Sequence, residues 1–163
     1  MSIVLFRVDE RLIHGQVLVG WGTQLRPDAI VVVDDALSGS EWEQELYTLG
    51  LPAELETRFE SVESARSQLS QLRSDPKRYF VLTRDVDSMR RLAAGGRLAG
   101  EEINIGGLHH GNGRQQRLPY VFLSDDEVKD LAAIAREGAT VSARDLPGSR
   151  RVSLEELVRG NTE

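Results

Sequence analysis

The chain has 163 residues, of which 40% are hydrophobic and 28% charged, so it is long enough for one domain with an ordinary core and too apolar to be disordered. Twenty Lys and Arg against 26 Asp and Glu give a formal net charge of −6, which argues against a nucleic-acid-binding module. The absence of cysteine excludes a disulfide framework, a thiolate metal site and a cysteine nucleophile, and no apolar run is long enough to span a membrane.

Short apolar runs along the chain predict the strands of a buried sheet. Candidate strands lie at residues 3–6, 29–33, 55–59, 79–82, 103–105, 120–123 and 140–143. The first, second and fourth of these are nearly continuous apolar runs, as strands covered on both faces require. The run at 55–59 alternates between apolar and polar residues instead, which predicts a half-exposed strand.

Stretches with helical spacing lie between these strands. Helices are expected over residues 15–25 and 62–72 and after Ser40, Asp87, Ser124 and Ser153. At the three serines a Glu follows three residues later, which is the capping box that satisfies free N–H groups of a first helical turn. Trp21 and Trp42 lie on two of these helices and are interpreted as core aromatic residues.

The alternation of strands and helices predicts the fold class. Such an order with continuous apolar strands is typical of an α/β protein, here a three-layer α/β/α domain with a mostly parallel central sheet of about six to seven strands. The chain shows no internal repeat, low-complexity segment or linker. Residues 1–163 are therefore expected to form a single domain.

Four segments that directly follow strands carry residues suited to chemistry. They are residues 7–16, Asp34 with Asp35, residues 83–85 around Arg84, and Gly106 with Gly107. Because ligands bind beyond the carboxyl ends of parallel strands, these segments should share one edge of the sheet. The two aspartates are interpreted as loop caps in preference to ligands of a ribose or Mg²⁺, and the two glycines suit either a phosphate cradle or a tight turn.

His14 is the strongest candidate for a reactive residue. It stands directly before Gly15 at a predicted helix start, where free N–H groups and the helix dipole favour an anion. Arg11 is placed to fork onto two phosphate oxygens. Asp9 or Glu10 is placed to orient the other ring nitrogen, or to pair with Arg11 when the site is empty. These residue types suit phosphoryl transfer through a phosphohistidine, and an ordinary capping role for His14 is the alternative.

A basic segment interrupts the acidic chain. No Asp or Glu occurs within residues 103–124, which contain His109, His110, Arg114 and Arg117. This pattern indicates an anion site or a docking patch for an acidic partner, and a solvated loop fits equally well. A zinc site built from the three histidines and a nearby carboxylate is a further alternative, which is disfavoured because adjacent His109 and His110 point in different directions on most backbones.

The residues FRVDERLIHGQV (6–17) resemble the signature of the IIB component of the mannose/fructose/sorbose family of the bacterial sugar phosphotransferase system. That signature reads R-(I/V)-D-(D/E)-R-(L/I)-I-H-G-Q-V near the N-terminus, and each of its positions is matched here. Residues 103–108 (INIGGL) are similar to the N-(V/I)-G-G-(M/L) segment of the family, and Asp34 after an apolar strand also fits. The chain departs from the family at Gly113-Arg114, where a Gly-Lys pair is common, which leaves the sugar and the partner contacts open.

The resemblance implies a protein-Nπ-phosphohistidine–sugar phosphotransferase. A phosphohistidine of the IIA component would donate its phosphoryl group to Nδ1 of His14, which would pass it to a hexose during uptake through the membrane components IIC and IID. Arg11 and the backbone amides of Gly15 and Gln16 would hold the phosphoryl group, with Asp9 in support. The transient phosphoryl group is the only cofactor-like species expected, without a metal or a nucleotide.

Further expectations follow from the same resemblance. The residues expected around the site or in partner docking are Asp34, Arg84, Gly106, Gly107 and Arg114. The protein is expected in the cytoplasm, peripherally associated with the inner membrane through IIC and IID, and a homodimer is left open. A regulatory phosphorelay module of the same fold, phosphorylated on His14 without sugar transport, is the alternative function.

Overall fold

The computed structural model describes residues 2–159. Its strands are β1 (Ile3–Val8), β2 (Ala29–Val33), β3 (Glu56–Glu60), β4 (Tyr79–Thr83), β5 (Glu102–Ile105), β6 (Arg114–Leu118), β7 (Val121–Ser124), β8 (Thr140–Ala143) and β9 (Val152–Ser153). The first helix, α1, consists of a π-helical segment (Gln16–Trp21) and the α-helical turn that continues it (Gly22–Leu25). The other helices are α2 (Asp35–Ser38), α3 (Glu41–Thr48), α4 (Val62–Ser74), α5 (Val86–Ala93), α6 (Asp125–Arg136) and α7 (Leu154–Arg159). Within residues 2–159, none of these helices combines the length and the apolar character needed to cross a membrane.

Seven strands form the central sheet in the order β3-β2-β4-β1-β5-β8-β9. Neighbouring strands are parallel except β8 and β9, which are antiparallel. With helices on both faces, this arrangement confirms the predicted three-layer α/β/α class. The candidate strand at 120–123 forms β7, but it pairs with β6 in a separate antiparallel hairpin and not with the central sheet. The polar sequence of β6, RQQRL, has no apolar periodicity that would predict a strand.

The sheet separates two hydrophobic cores. On β2, Ala29, Val31 and Val33 pack into the core shared with α4, α5 and α6. Ile30 and Val32 point to the other face and pack into the core under α1 and α2. Every side chain of β2 is therefore buried, which explains its continuous apolar run. Full burial of each valine or isoleucine contributes about 1.5–3 kcal/mol to the fold.

The predicted cap of α5 is wrong by two residues. Asp85 and not Asp87 caps this helix, since the Asp85 carboxylate accepts a hydrogen bond from the Ser88 N–H at 2.8 Å. Asp85 has the extended backbone that a capping residue needs, whereas Asp87 already lies within the first helical turn.

Of the two tryptophans, only Trp21 is a core residue. Trp21 is buried on α1, but Trp42 on α3 is 67% exposed, so its predicted core position is wrong. No side chain of α3 is buried, and Ser40 forms no side-chain cap with this helix. α3 contacts the core through the partly buried Tyr47, whereas Trp42 lies outside that contact.

The loops that carry the candidate residues meet at the carboxyl end of β1. This strand is followed by α1 on one face of the sheet, whereas its neighbours β4 and β5 lead into α5 and α6 on the opposite face. The chain therefore changes direction across the sheet at β1. In open α/β sheets such a topological switch point is where ligands bind.

Candidate active site

Backbone hydrogen bonds hold the loop after β1 against the neighbouring strands. The N–H of Asp9 donates to the carbonyl of Thr83 at 2.9 Å, and the N–H of Glu10 donates to that of Gly107 at 2.9 Å. Leu12 is buried with a φ of 55°, a left-handed conformation that costs a non-glycine residue about 1–3 kcal/mol. The segments after β1, β4 and β5 therefore share one edge, as predicted.

His14 lies at the start of α1, where its carbonyl accepts a hydrogen bond from the Leu18 N–H at 3.0 Å. Its Nε2 atom is buried and lies 3.2 Å from Oδ2 of Asp9, while 15% of the side chain is exposed. A Cβ atom built on Gly15 would meet nothing within 4 Å, so open space adjoins the first helical turn. His14 therefore reaches the surface while its Nε2 atom lies close to a buried carboxylate.

Asp9 is a fully buried carboxylate that several donors surround. Its oxygens accept hydrogen bonds from Nη2 of Arg7 at 3.1 Å and from the backbone N–H groups of Arg11 at 3.0 Å and Gly107 at 3.1 Å. Burial alone raises the pKa of Asp9, but the contact with His14, the charge of Arg7 and the two N–H groups hold this pKa well below its usual range. Asp9 is therefore an anion throughout the physiological pH range.

Arg11 is the exposed partner of Asp9. Its Nε atom lies 3.3 Å from Oδ1 of Asp9, and its Nη2 atom lies 3.4 Å from Oδ2 and 2.8 Å from Oε1 of Gln16. The Arg11 side chain is 37% exposed. Of the two acids that the sequence offered for these contacts, Asp9 and not Glu10 lies against both Arg11 and His14, and Arg11 is the partner with room to move.

Arg7 is a component of the site that sequence reasoning missed. It is fully buried at the end of β1. Its guanidinium donates to Oδ1 of Asn104 and to the carbonyls of Arg144 at 2.9 Å and Asp145 at 3.2 Å. Its Cζ atom lies 5.4 Å from the ring centroid of Trp21, within cation–π range. The signal for such a residue is a single Arg inside an otherwise apolar strand.

The glycine pair after β5 fits around these arginines. A Cβ atom on Gly106 would lie 2.3 Å from Nη2 of Arg7, which packed atoms do not tolerate. Gly106 therefore makes room for the Arg7 guanidinium, a role that neither a phosphate cradle nor a tight turn describes. At Gly107 a Cβ atom would lie 3.1 Å from Nη2 of Arg11, a close contact that this partly exposed side chain can relieve by moving.

Two carboxylates from outside the basic segment pair with its residue Arg114. Arg114 donates to Glu10 through Nη1 and to Glu127 through Nε at 2.9 Å and Nη2 at 2.7 Å. His109 Nδ1 lies 3.1 Å from Oε2 of the same Glu10. The interpretation as a solvated loop does not hold for Arg114, which begins β6 and joins the hairpin to the site loop, whereas His109 and His110 are exposed. Among residues 2–159, no three His, Asp or Glu side chains lie close enough to hold a metal ion.

Asp34 and Asp35 make structural contacts, which supports their interpretation as caps. The Asp34 carboxylate accepts a hydrogen bond from the Leu37 N–H at 2.9 Å and lies 3.4 Å from Nη2 of Arg84. Asp35 pairs with Arg91 at 2.8 Å. The structure thus places Arg84 beside a capping carboxylate on the same edge of the sheet as His14.

The fold and the site together define the class of this protein. Proteins of this class are α/β domains with a histidine at the ligand-binding edge of the sheet, in contact with a buried carboxylate and next to an exposed guanidinium. Residues 3–163 match the family model of the PTS system sorbose subfamily IIB component. The N-acetylgalactosamine-specific phosphotransferase enzyme IIB component 1 of Escherichia coli (strain K12) is 31% identical over 153 residues, which are 92% of this chain and 94% of that protein.

Two further similarities agree with this match. The crystal structure of manxB from Thermoanaerobacter tengcongensis has a TM-score of 0.85 at 31% identity and covers 99% of this chain and 97% of its own. The PTS system mannose-specific EIIAB component of Escherichia coli (strain K12) is 24% identical over 162 residues, which are 97% of this chain but 49% of that longer protein. The chain belongs to the sorbose subfamily of IIB components of the sugar phosphotransferase system, whose members are phosphotransferases that serve sugar transport.

Proposed function

We propose that this chain carries a phosphoryl group on His14, from a IIA component to a hexose that enters through the membrane components IIC and IID. The observation that carries the proposal is the 3.2 Å contact between Nε2 of His14 and the buried anion of Asp9, at the start of α1. In this proposal the contact orients the imidazole and leaves its other nitrogen for the reaction.

The contact with Asp9 also selects the reacting nitrogen. Because Asp9 stays ionised, it favours the His14 tautomer that carries its proton on Nε2, beside the carboxylate, and its lone pair on Nδ1. That lone pair attacks phosphorus. As the ring gains positive charge in the transfer, the nearby carboxylate stabilises it.

Arg11 and the start of α1 hold the phosphoryl group. Arg11 is exposed enough to exchange its contacts with Asp9 and Gln16 for two phosphoryl oxygens. The first N–H groups of a helix have no partner within the helix, and the open space beside Gly15 gives the group access to them. Phosphoryl transfer depends mainly on such positioning and charge stabilisation.

Two transfers complete the cycle. In the first, the P–N bond of the IIA phosphohistidine breaks while a P–N bond forms at Nδ1 of His14, whose Nε2 keeps its proton towards Asp9. In the second, a hexose hydroxyl oxygen attacks phosphorus, the bond to Nδ1 breaks and the hydroxyl proton leaves to solvent. Each transfer balances without a metal or a nucleotide, so the phosphoryl group is the only cofactor-like species in the proposal.

The partners follow from the family. IIB components of this family work with IIA and with the membrane components IIC and IID. The Escherichia coli mannose relative supports IIA as the donor, since its name, EIIAB, joins a IIA and a IIB component in one protein of which this chain matches 49%. In this proposal the chain works at the cytoplasmic face of the inner membrane, where IIC and IID hold it.

Phosphate transfer from a cognate IIA component tests the proposal. Incubation with phosphorylated IIA should label the chain with one phosphate that is labile in acid and stable in alkali. His14→Ala should remain unlabelled because the nucleophile is gone, whereas His110→Ala, which removes an exposed histidine, should be labelled like the wild type. Label that persists in His14→Ala would refute the assignment.

Membranes that contain IIC and IID test the second transfer. Addition of these membranes with a panel of hexoses should move the label from the chain to one of the sugars. If the label stays on the chain with every hexose, the regulatory phosphorelay would be favoured over sugar transport.

A further inference from the structure

Two guanidinium groups share the carboxylate of Asp9, and they differ in mobility. Arg7 lies 3.1 Å from Oδ2 and has no exposed side-chain surface. Arg11 lies 3.3 Å from Oδ1 and is 37% exposed. One cation is therefore enclosed in the protein, while the other can leave without disturbing the core.

The surroundings of Arg7 keep it in place. Four acceptors hold its two terminal nitrogens: side-chain oxygens of Asn104 and Asp9, and the carbonyls of Arg144 and Asp145. The Trp21 ring covers the guanidinium at 5.4 Å. On another side the backbone of Gly106 approaches so closely that even a Cβ atom would collide with it.

We propose that Arg7 is a positioning residue that keeps Asp9 charged and oriented towards His14 when Arg11 moves from Asp9 to the phosphoryl group. This inference rests on the proposed function of His14 and assigns the two arginines different tasks. Arg11 contacts the phosphoryl group, whereas Arg7 acts through Asp9.

The need for a second cation follows from charge. Transfer brings a phosphoryl group with about two negative charges next to Asp9 and at the same time removes Arg11 from it. A buried carboxylate without a partner is unstable and takes up a proton. A neutral Asp9 would no longer favour the proton on Nε2 of His14, and a proton on Nδ1 would block the lone pair that reacts. The fixed charge of Arg7 prevents this.

Nitrogen-15 NMR of the histidine ring in the unphosphorylated chain tests the assignment without any partner. In the neutral form of the imidazole, the two nitrogen shifts report which nitrogen carries the proton. The His14 signals are assigned by their loss in His14→Ala. The wild type and Arg11→Ala should both show the proton on Nε2, whereas Arg7→Met should show a large shift of population towards Nδ1–H.

Transfer from phosphorylated IIA gives the second readout. Arg7→Met should slow labelling of His14 by about 10–100-fold, as loss of a residue that orients a reactive group typically does. The matched control is Arg58→Met, since Arg58 also pairs with a carboxylate and lies over an aromatic ring, at 5.3 Å from the Tyr79 centroid, but on the edge strand β3. In Arg58→Met, the His14 tautomer population and the labelling rate should equal those of the wild type.

If Arg7→Met does not fold, Gly106→Ala tests the role of Arg7 in its place. This variant keeps the charge of Arg7 but pushes its guanidinium away from Asp9, so it should show the same tautomer shift to a smaller extent. A His14 tautomer that is unchanged in the folded Arg7 or Gly106 variant would overturn the inference even if wild-type transfer is normal. Failure of the wild type to accept phosphate at His14 would instead overturn the proposed function.

Discussion

At the scale of single residues, a buried ion pair between Arg7 and Asp9 organises the site. A buried ion pair returns little net stability, because desolvation of both partners offsets their attraction. Arg7 and Asp9 nevertheless form such a pair with no exposed side-chain surface. Beyond any stabilisation of the fold, this pair places a fixed negative charge 3.2 Å from His14 Nε2.

Arg11→Lys tests the proposal that Arg11 holds the phosphoryl group. A lysine keeps the positive charge but loses the planar fork that binds two oxygens, which should cost about 1.4–2.7 kcal/mol in the transition state, or about 10–100-fold in rate. The measurement is the initial rate of labelling from phosphorylated IIA. Arg90→Lys is the control, because the Arg90 side chain on α5 is also 37% exposed. An unchanged rate in Arg11→Lys would mean that Arg11 is a structural residue.

The pH dependence of stability should carry the signature of Asp9. Its pKa is lower in the folded chain than in the unfolded chain, so its contribution to stability is complete above about pH 4 and is lost as the pH falls further. In urea unfolding, Asp9→Asn should therefore be less stable than the wild type at neutral pH, and this difference should shrink below about pH 4. A difference that stays constant across this range would contradict the low pKa of Asp9.

At the scale of elements, the start of α1 places His14 at the ligand-binding edge of the sheet. Its π-helical segment begins immediately after the His14–Gly15 pair, and π-helical turns are frequent at functional sites. A Cβ atom on Gly20 would lie 2.7 Å from Leu146, so this glycine lets α1 approach the loop after β8 closely. Trp21 Nε1 donates to the Asp145 carbonyl at 3.0 Å, which ties α1 to the same segment that receives Arg7.

Two serines with the same sequence pattern should respond differently to substitution. Ser124 forms a complete capping box with Glu127 at the start of α6, so Ser124→Ala should destabilise the chain by about 1 kcal/mol. Ser40 forms no side-chain cap on α3, so Ser40→Ala should change stability by less than about 0.5 kcal/mol. The measurement is the free energy of unfolding in urea. Equal losses in the two variants would contradict the structural difference between the two helix starts.

At the scale of the whole molecule, ion pairs connect the hairpin to the site. Glu10 belongs to the loop after β1, Arg114 to β6 and Glu127 to α6, and the arginine bridges both carboxylates. The net charge of −6 thus conceals a local balance, in which acids from distant parts of the sequence pair with the basic segment. Charge reversal at Arg114 would place three carboxylates together and would disturb the site loop itself.

A single cooperative unfolding transition is expected for the chain. The two cores share the strands of one sheet, so neither can unfold while the other stays intact. Calorimetry should show one peak with equal calorimetric and van't Hoff enthalpies of about 110 kcal/mol, from the usual enthalpy per residue. Two resolved transitions, or a stable fragment after limited proteolysis, would contradict the prediction of a single domain.

Much of the fold and the location of the site could be predicted from the sequence, because both are recorded in local patterns. The continuous apolar runs of β1, β2 and β4 indicate burial on both faces, and they were predicted within two residues of the observed ends. The capping box at Ser124 is a pattern of four residues, and it formed as expected. The signature around His14 likewise lies within a short stretch of chain, so the candidate for the reactive residue could be named before its surroundings were known.

The tertiary structure alone decided what surrounds that histidine. Arg7 meets the Arg144 carbonyl, and Glu10 meets Arg114, although 137 and 104 residues of chain separate these partners. The exposure of Trp42 could not be predicted from the sequence either. Helical spacing shows which side of a helix is apolar but not whether another element packs against that side. Local periodicity and capping are properties of neighbouring residues, whereas the pairing of buried charges and the covering of a helix face depend on which distant segments the folded sheet brings together.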